Sequence, residues 1–285
     1  HIYTLPILGK RLHDQFDGKV YEDCYKSLFS DTEQTEVLRR NNRIVYIPEK
    51  IIEHRHPAAG KSLEDNLYRR NNALFEEDKA TFLARVEKDF HMPTVWLSIC
   101  IATMPSRWKM LDRLIDFLYS RIAAAGAKRQ VEILVDNGPE TTGEKRERLI
   151  KRAIGKFVTF VDDDDFVSPD YVERVLTALK SDPEADCTSL TGVMLSDGKA
   201  ATMFNHSVKH GGWFTKNGTH CRTPNHLNAC RRELALQAGF EAITGTEDFG
   251  YSKRLFPLLK REVSTGPAPL YFYFFQTKEA PSVGQ

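Results

Sequence analysis

The 285 residues carry 40 Lys and Arg against 39 Asp and Glu, a formal net charge of +1, and are 41% hydrophobic and 28% charged. That balance excludes capture by nucleic acid or a membrane through bulk charge, and it leaves ample material for a buried core. The five cysteines (Cys24, Cys100, Cys187, Cys221 and Cys230) show no CxxC or zinc-like spacing, and they read as reduced thiols of a cytosol-like compartment. No apolar run approaches the roughly 18 residues needed to span a bilayer. No signal peptide is read, and the sequence opens on His1 rather than Met. A cytoplasmic location is the expectation.

The first ninety residues stand apart. Residues 19–29 (KVYEDCYKSLF) hold a Glu-Asp pair, and residues 43–65 (RIVYIPEKIIEHRHPAAGKSLED) hold a His-x-His. Residues 61–90 are charged and helix-forming, with Leu67, Phe75, Phe82 and Val86 as inward anchors. His91-Met92-Pro93 breaks that pattern. The expected division is a segment over 1–91 and a domain over 92–285.

After the break, WLSICIAT (96–103) is a nearly continuous apolar run and reads as a buried strand. Residues 108–125 carry Leu111, Leu114, Ile115, Leu118 and Ile122 at helical spacing, with Gly126 as the stop. VEILVD (131–136) is a second buried strand ending in an Asn-Gly turn. Residues 145–153 form a basic helix candidate, and FVTFVD (157–162) a third strand. Ser168-Pro169-Asp170 reads as a helix start: an N-cap, Pro at the first helical position and an acid in the first turn. Val172, Val175, Leu176 and Leu179 continue that helix.

Strand and helix thus alternate three times, which predicts an α/β fold with a mostly parallel sheet flanked by helices. Ligands bind at the carboxyl ends of such strands. Here those ends are Thr103, Asp136 and the run Asp162 to Asp165. Beyond them come a strand candidate, CTSLTGVML (187–195), and a Gly/His/Trp-rich stretch, HGGWFTKNGTH (210–220). A helix candidate at 231–238, then GTEDFGYSKRLF (245–256) and a last strand, PLYFYFF (269–275), complete the chain.

The four aspartates of FVTFVDDDDFVSPD (157–170) pose a chemical problem. Adjacent carboxylates repel, and Phe160, Val161, Phe166 and Val167 press them against a core. They could be a solvated acidic loop, a helix cap or ligands of a divalent cation. Ser168 already supplies the cap in this reading. A hard cation, Mn2+ or Mg2+, prefers oxygen ligands and keeps positions open for phosphate.

VDDDDFVSPD resembles the xLDxDDxxxPD signature of family 2 glycosyltransferases with the GT-A fold. LSICIATMPSR resembles that family's first strand and turn, and VEILVDNG its second strand and terminal acid. KRERLIKRAIGKFVTFVDDDD resembles the helix and strand that lead into its DxD motif, and TEDFGYSKRLF its ED motif. The likeness covers roughly residues 94–275. It implies a Rossmann-like nucleotide-diphospho-sugar transferase, with a nucleotide-sugar half over 94–185 and an acceptor half over 186–285. It further implies metal-dependent, inverting transfer from a nucleoside-diphosphate sugar, UDP-sugar first, to an acceptor hydroxyl.

By the same resemblance, Ala102 and Thr103 would line the base pocket, and Asp136 would accept a hydrogen bond from the base. Asp162 would face the ribose, Asp162 and Asp164 would hold Mn2+ or Mg2+, and Asp163 would help bind the nucleotide sugar or the metal. Arg146 or Arg148 would meet a phosphate, unless that Lys/Arg cluster is a solvated helix face. Asp248 would be the general base and Glu247 would orient the acceptor or the helix start. Acids there would also suit a helix N-terminus for the dipole alone. Trp213 and His226 would shape the acceptor pocket, with a core or lid role as the alternative. The family often adds a metal-binding histidine after the ED helix, and residues 249–285 contain none.

The first segment resembles the C-terminal end of a phage-type glycosyltransferase domain, through its ED pair, a strand pair and EHRHP...GK...D. It is then the remnant of a first domain, an early piece of one rearranged domain, or an unrelated helical cap. In the rearranged case His54 or His56 would supply the missing metal ligand. The acceptor would be a glycan or a hydroxymethylated DNA base, and the location the host cytoplasm if the protein is phage-encoded. A nucleotidyltransferase is an alternative, although ATMPSR (102–107) lacks the Gly-rich basic loop of that class. A degenerate, non-catalytic nucleotide-sugar-binding module is another. The donor sugar and the oligomeric state are not written in the sequence.

Overall fold

Strand and helix alternate beyond residue 94 much as their apolar spacing requires, and the described residues before it are mostly helical. The computed structural model describes residues 18–40, 63–91, 94–198 and 200–275, with residues 9, 13, 16, 44, 49, 57 and 60. Two units meet in sequence between Pro93 and Thr94.

The first unit contains α1 (Ser30–Arg40), α2 (Asn66–Asn72) and α3 (Phe75–Glu87). Asp65 caps α2, its carboxylate accepting from the Leu67 and Tyr68 amides. Asp78 is buried on α3 and accepts from the amides of Lys26, Ser27 and Leu28, which pins that loop to the helix. Arg85 donates two hydrogen bonds to the buried Glu33 of α1. Phe82 packs against Phe29 and Phe90. Leu67, Phe75 and Val86, expected as inward anchors, are exposed. The inward face of α3 is instead Asp78, Phe82 and Arg85, spaced by four and three residues, so polar pairing selects the face. His54 and His56 lie outside the described residues, as does most of the strand pair expected around them.

In the second unit β1 (Leu97–Ala102) lies between β2 (Val131–Asp136) and β3 (Phe157–Phe160), parallel to both. The crossovers carry α4 (Trp108–Ala124) and α5 (Thr142–Arg152). Parallel strands need such crossovers and are buried on both faces, which is why these strands read as unbroken apolar runs. Leu114, Ile115, Leu118 and Ile122 turn one side of α4 into the core, and Gly126, at φ 61°, ends it. Thr141 and Glu144 form a capping box that starts α5 before its basic stretch. At Gly143 a Cβ would lie 1.7 Å from the Glu241 carbonyl oxygen, so only glycine lets the loop before the ED motif rest on α5.

Next come β4 (Phe166–Val167) and α6 (Tyr171–Ser181). This helix starts later than Ser168-Pro169-Asp170 predicts. The Tyr171 amide closes a turn on the Ser168 carbonyl, and the Ser168 hydroxyl donates to Asp170 instead of capping the helix.

The run CTSLTGVML is likewise not one strand. Its first part is β5 (Cys187–Thr188) and its second is β6 (Leu190–Ser196), and these belong to different sheets. There follow β7 (Ala200–His206), β8 (Phe214–Lys216), β9 (Thr219–Arg222), β10 (Cys230–Arg231), α7 (Arg232–Ala238), α8 (Glu247–Leu255), β11 (Glu262–Val263) and β12 (Tyr271–Phe275). One six-stranded sheet has the order β11-β5-β10-β3-β1-β2, the other β4-β12-β6-β7-β9-β8.

The α/β class is as expected. The parallel character is concentrated in β1, β2 and β3, because β10 runs antiparallel to β3 and the second sheet is mixed. HGGWFTKNGTH folds into the β8–β9 hairpin around Asn217-Gly218, both at positive φ. Among the described residues no helix is long and apolar enough to cross a membrane.

Candidate active site

The carboxyl ends of β1, β2 and β3 meet through polar contacts. The Thr103 amide donates to the Asp136 carbonyl at 2.9 Å, and its hydroxyl donates to Asp163 at 2.5 Å. Ala102 is the register partner of Asp136. Asp136 accepts from Arg148 Nε at 2.8 Å and Nη2 at 3.0 Å, and from the Gly138 amide at 3.0 Å. Burial works against its charge, but the Arg148 fork and the Gly138 amide hold the carboxyl below its ordinary value.

The four aspartates take four different environments. The Asp165 amide closes the turn on the Asp162 carbonyl at 3.1 Å. Asp162 receives Arg146 Nη2 at 2.8 Å, and His226 Nε2 stands 3.5 Å from its other oxygen. That second approach is an ion-pair distance and not a formed hydrogen bond. Burial opposes charge on Asp162, and Arg146 with His226 overrides it, so the carboxyl titrates well below the usual range. Asp163 is buried and pairs with Arg107 at 3.0 Å; burial raises its carboxyl despite that partner. Asp164 is the exposed member and pairs with the second Arg107 nitrogen. Asp165 accepts from the Tyr271 hydroxyl and the Phe274 amide, both at 2.8 Å. Burial, with the Asp162 charge close by, pushes it up to about 8.

Helix α5 presents Lys145 and Arg146 inward, not to solvent. Lys145 Nζ donates to the Thr103 carbonyl at 2.9 Å. Arg146 is buried against Phe160 and Phe240, and its Nη1 pairs with Glu247 at 3.0 Å. Glu247 also accepts from the Gly245 amide at 2.6 Å. Arg146 therefore bridges the DxD turn to the first residue of α8. Asp248, next along, is half-buried and accepts only from its neighbour, the Phe249 amide, among the described contacts. Arg146, Asp162, His226, Glu247 and Asp248 line one cleft of about 730 Å3, open solvent at its mouth included.

Residues 120–236 match the family described as Glycosyl transferase family 2. That match covers less than half of the chain. No curated protein matches the sequence. Among solved structures, TarS 1-349 of S. aureus is similar at 14% identity and TM-score 0.46, over 63% of this chain and 60% of that one. The same protein in complex with UDP-GlcNAc gives 15% and 0.47, over 67% and 61%. GalNAc-T7 with UDP, GalNAc and Mn2+ gives 13% and 0.41, over 65% and 44%. The chain thus spans about 60% of the TarS fragment it resembles.

The structure brings most of the expected site residues together. Asp162, His226, Arg146, Glu247 and Asp248 share the cleft, while Ala102, Thr103, Asp136 and Asp163 lie at the strand ends that border the DxD turn. Trp213 stands beside α8: its ring meets Phe249 at 5.1 Å and its indole N–H donates to Thr223 at 3.0 Å.

The donor set for a divalent cation does not fit as placed. Asp162 is engaged by Arg146, Asp163 and Asp164 by Arg107, and Asp165 by Tyr271 and an amide. Among the described residues no three His, Cys, Asp or Glu side chains converge as metal ligands.

Sequence reasoning missed Arg107, Lys145 and Tyr271 as partners of this site, and Arg222 on its wall. The one signal for Arg107 was its place in the turn directly after β1. Tyr271 carried no signal, since an aromatic in an aromatic strand reads as core.

Proposed function

We propose that this protein moves a sugar from a nucleoside-diphosphate sugar, UDP-sugar first, to an acceptor hydroxyl with inversion at the anomeric carbon. The observation that carries the reading is the shared cleft: Asp162 from the DxD turn and Asp248 from α8 open into one cavity, with Arg146 between their elements. In this reading the nucleotide lies along Ala102, Thr103 and Asp136, and Asp162 takes the ribose. The diphosphate lies beside Arg107 and Arg146, whose fixed positive charge favours the negative charge that develops on the leaving group.

Asp248 takes the proton of the acceptor hydroxyl as its oxygen attacks the anomeric carbon. The bond from that carbon to the diphosphate breaks, and the electron pair leaves with the diphosphate. A base opposite the leaving group inverts the centre. Glu247, locked by Arg146 and the Gly245 amide, fixes the start of α8 and so the direction of Asp248. No step is routed through Mn2+ or Mg2+, because the aspartates are committed to other partners. A glycan hydroxyl or the hydroxymethyl group of a modified DNA base is the acceptor class to try. The experiment is UDP release from UDP-sugars with acceptor, for wild type and Asp248→Asn. Turnover lost in the variant supports the reading, and no binding of any nucleotide sugar by wild type would overturn it.

A further inference from the structure

Charged side chains along the cleft are mostly matched, and Arg222 at the end of β9 is, with Asp248, an exception among the described residues. Among the described residues its guanidinium has neither a carboxylate nor a hydrogen-bond acceptor. It is not loose. It stacks 4.6 Å from the centre of the Trp213 ring. That ring is tied to α8 twice, by its edge on Phe249 and through Thr223, whose hydroxyl bonds Ser252 at 2.9 Å. The helix that carries Asp248 therefore also fixes the platform under Arg222.

Among the described residues, none of the carboxylates that line the cleft, Asp162, Glu247 and Asp248, is ion-paired with Arg222. His206 is held neutral, pushed down to about 3 by burial and by Arg222 itself. His220 engages the Thr215 hydroxyl through Nδ1. His226 is buried on the same cleft, and neither ring nitrogen has a hydrogen-bond partner. A half-buried guanidinium without a counter-ion is costly, and one stacked on an aromatic face is fixed and weakly hydrated. Its fork matches the two oxygens of a carboxylate or a phosphate. The His226 imidazole on the same cleft, whose Nε2 only approaches Asp162 at 3.5 Å, adds a second polar group without a formed hydrogen bond.

We propose that Arg222, braced by Trp213, recognises an oxyanion on the acceptor, so that the preferred acceptor carries a carboxylate or a phosphate near the hydroxyl that Asp248 deprotonates. This deepens the glycosyl-transfer reading and rests on it for the word acceptor. Arg107 and Arg146 already stand beside the DxD turn, so the donor diphosphate does not need Arg222.

The test titrates glucuronate, glycerol 3-phosphate, glucose and glycerol into the full chain saturated with UDP, reading heat and Trp fluorescence. The expected result is saturable binding of at least one anion, with glucose and glycerol about tenfold weaker or more. Which anion binds names the group. Arg222→Gln should weaken that anion about tenfold, Arg222→Lys less, and UDP affinity should stay within about twofold in both. An unchanged melting temperature shows that the variants fold. Anions and neutral ligands binding alike would overturn the proposal. So would Arg222→Gln weakening UDP as much as the anion, which would make Arg222 a donor ligand. Anion binding lost in Arg222→Gln without any UDP-sugar turnover by wild type would sink the transfer reading and leave the anion site standing. Turnover onto neutral acceptors that is indifferent to Arg222→Gln would sink the anion site alone.

Discussion

On the wall formed by the ends of β1, β2 and β3, every described carboxylate has a committed partner. Asp136 has Arg148, Asp162 has Arg146, Asp163 and Asp164 share Arg107, and Asp165 has Tyr271 and an amide. On the wall formed by β9 and the start of α8, Arg222 and Asp248 have no ion-pair partner among the described residues, and His226 has no formed hydrogen bond. The first pattern is what a preorganised binding surface needs, since groups already fixed by neighbours lose little on meeting a ligand. The second leaves desolvated polar groups without partners, a cost that a ligand can remove. The two regions thus differ: the first has its charged groups paired and reaches the cleft through Asp162 and Arg146, and the second leaves polar groups open to it.

Substitutions can break this contrast, beginning with the largest effect. Asp248→Asn on the second wall should lower turnover about 10²–10⁴-fold with UDP affinity unchanged, as the loss of a general base would; initial rates of UDP release check it. Arg146→Ala on the first wall should destabilise the fold by about 3–5 kcal/mol, because it strands the buried Glu247 and the Asp162 charge; denaturant unfolding measures that. Arg107→Ala frees Asp163 and Asp164 together and should tighten Mn2+ binding about tenfold in calorimetry. An unchanged affinity would mean that Arg107 does not set how those two acids meet a cation.

The last effect is in the pH profile. Asp165 keeps its proton in the folded chain up to about 8, whereas the unfolded chain loses it near pH 3.9. The unfolded state therefore binds fewer protons between those values, and this residue lowers stability as pH rises through that window. Asp165→Asn removes the slope. Its melting temperature relative to wild type should climb between pH 5 and pH 8, and a constant offset would show that Asp165 is ionised in the fold.

What the sequence makes legible follows from burial. Strands buried on both faces leave continuous apolar runs, so Leu97–Ala102, Val131–Asp136 and Phe157–Phe160 stand out, and their polar ends mark the site. Partners that come from turns do not stand out. Arg107 and Arg222 look like ordinary surface arginines until the chain folds, because no period in the sequence points to them. Lys145 is hidden by charge density, and Arg146 stands out only through the resemblance: a helix rich in Lys and Arg reads as solvated, although both are buried and Arg148 is half-exposed. The break at Ser189 is silent as well, since β5 and β6 are both strand-forming and only the two sheets separate them.

The assignment of the two walls is tested most directly by calorimetric titration of UDP into Asp162→Ala and Asp248→Asn beside wild type. The account predicts UDP affinity about tenfold weaker in Asp162→Ala, the size expected for a lost charged hydrogen bond, and unchanged in Asp248→Asn. Equal weakening in both variants, or weakening in Asp248→Asn alone, would contradict it.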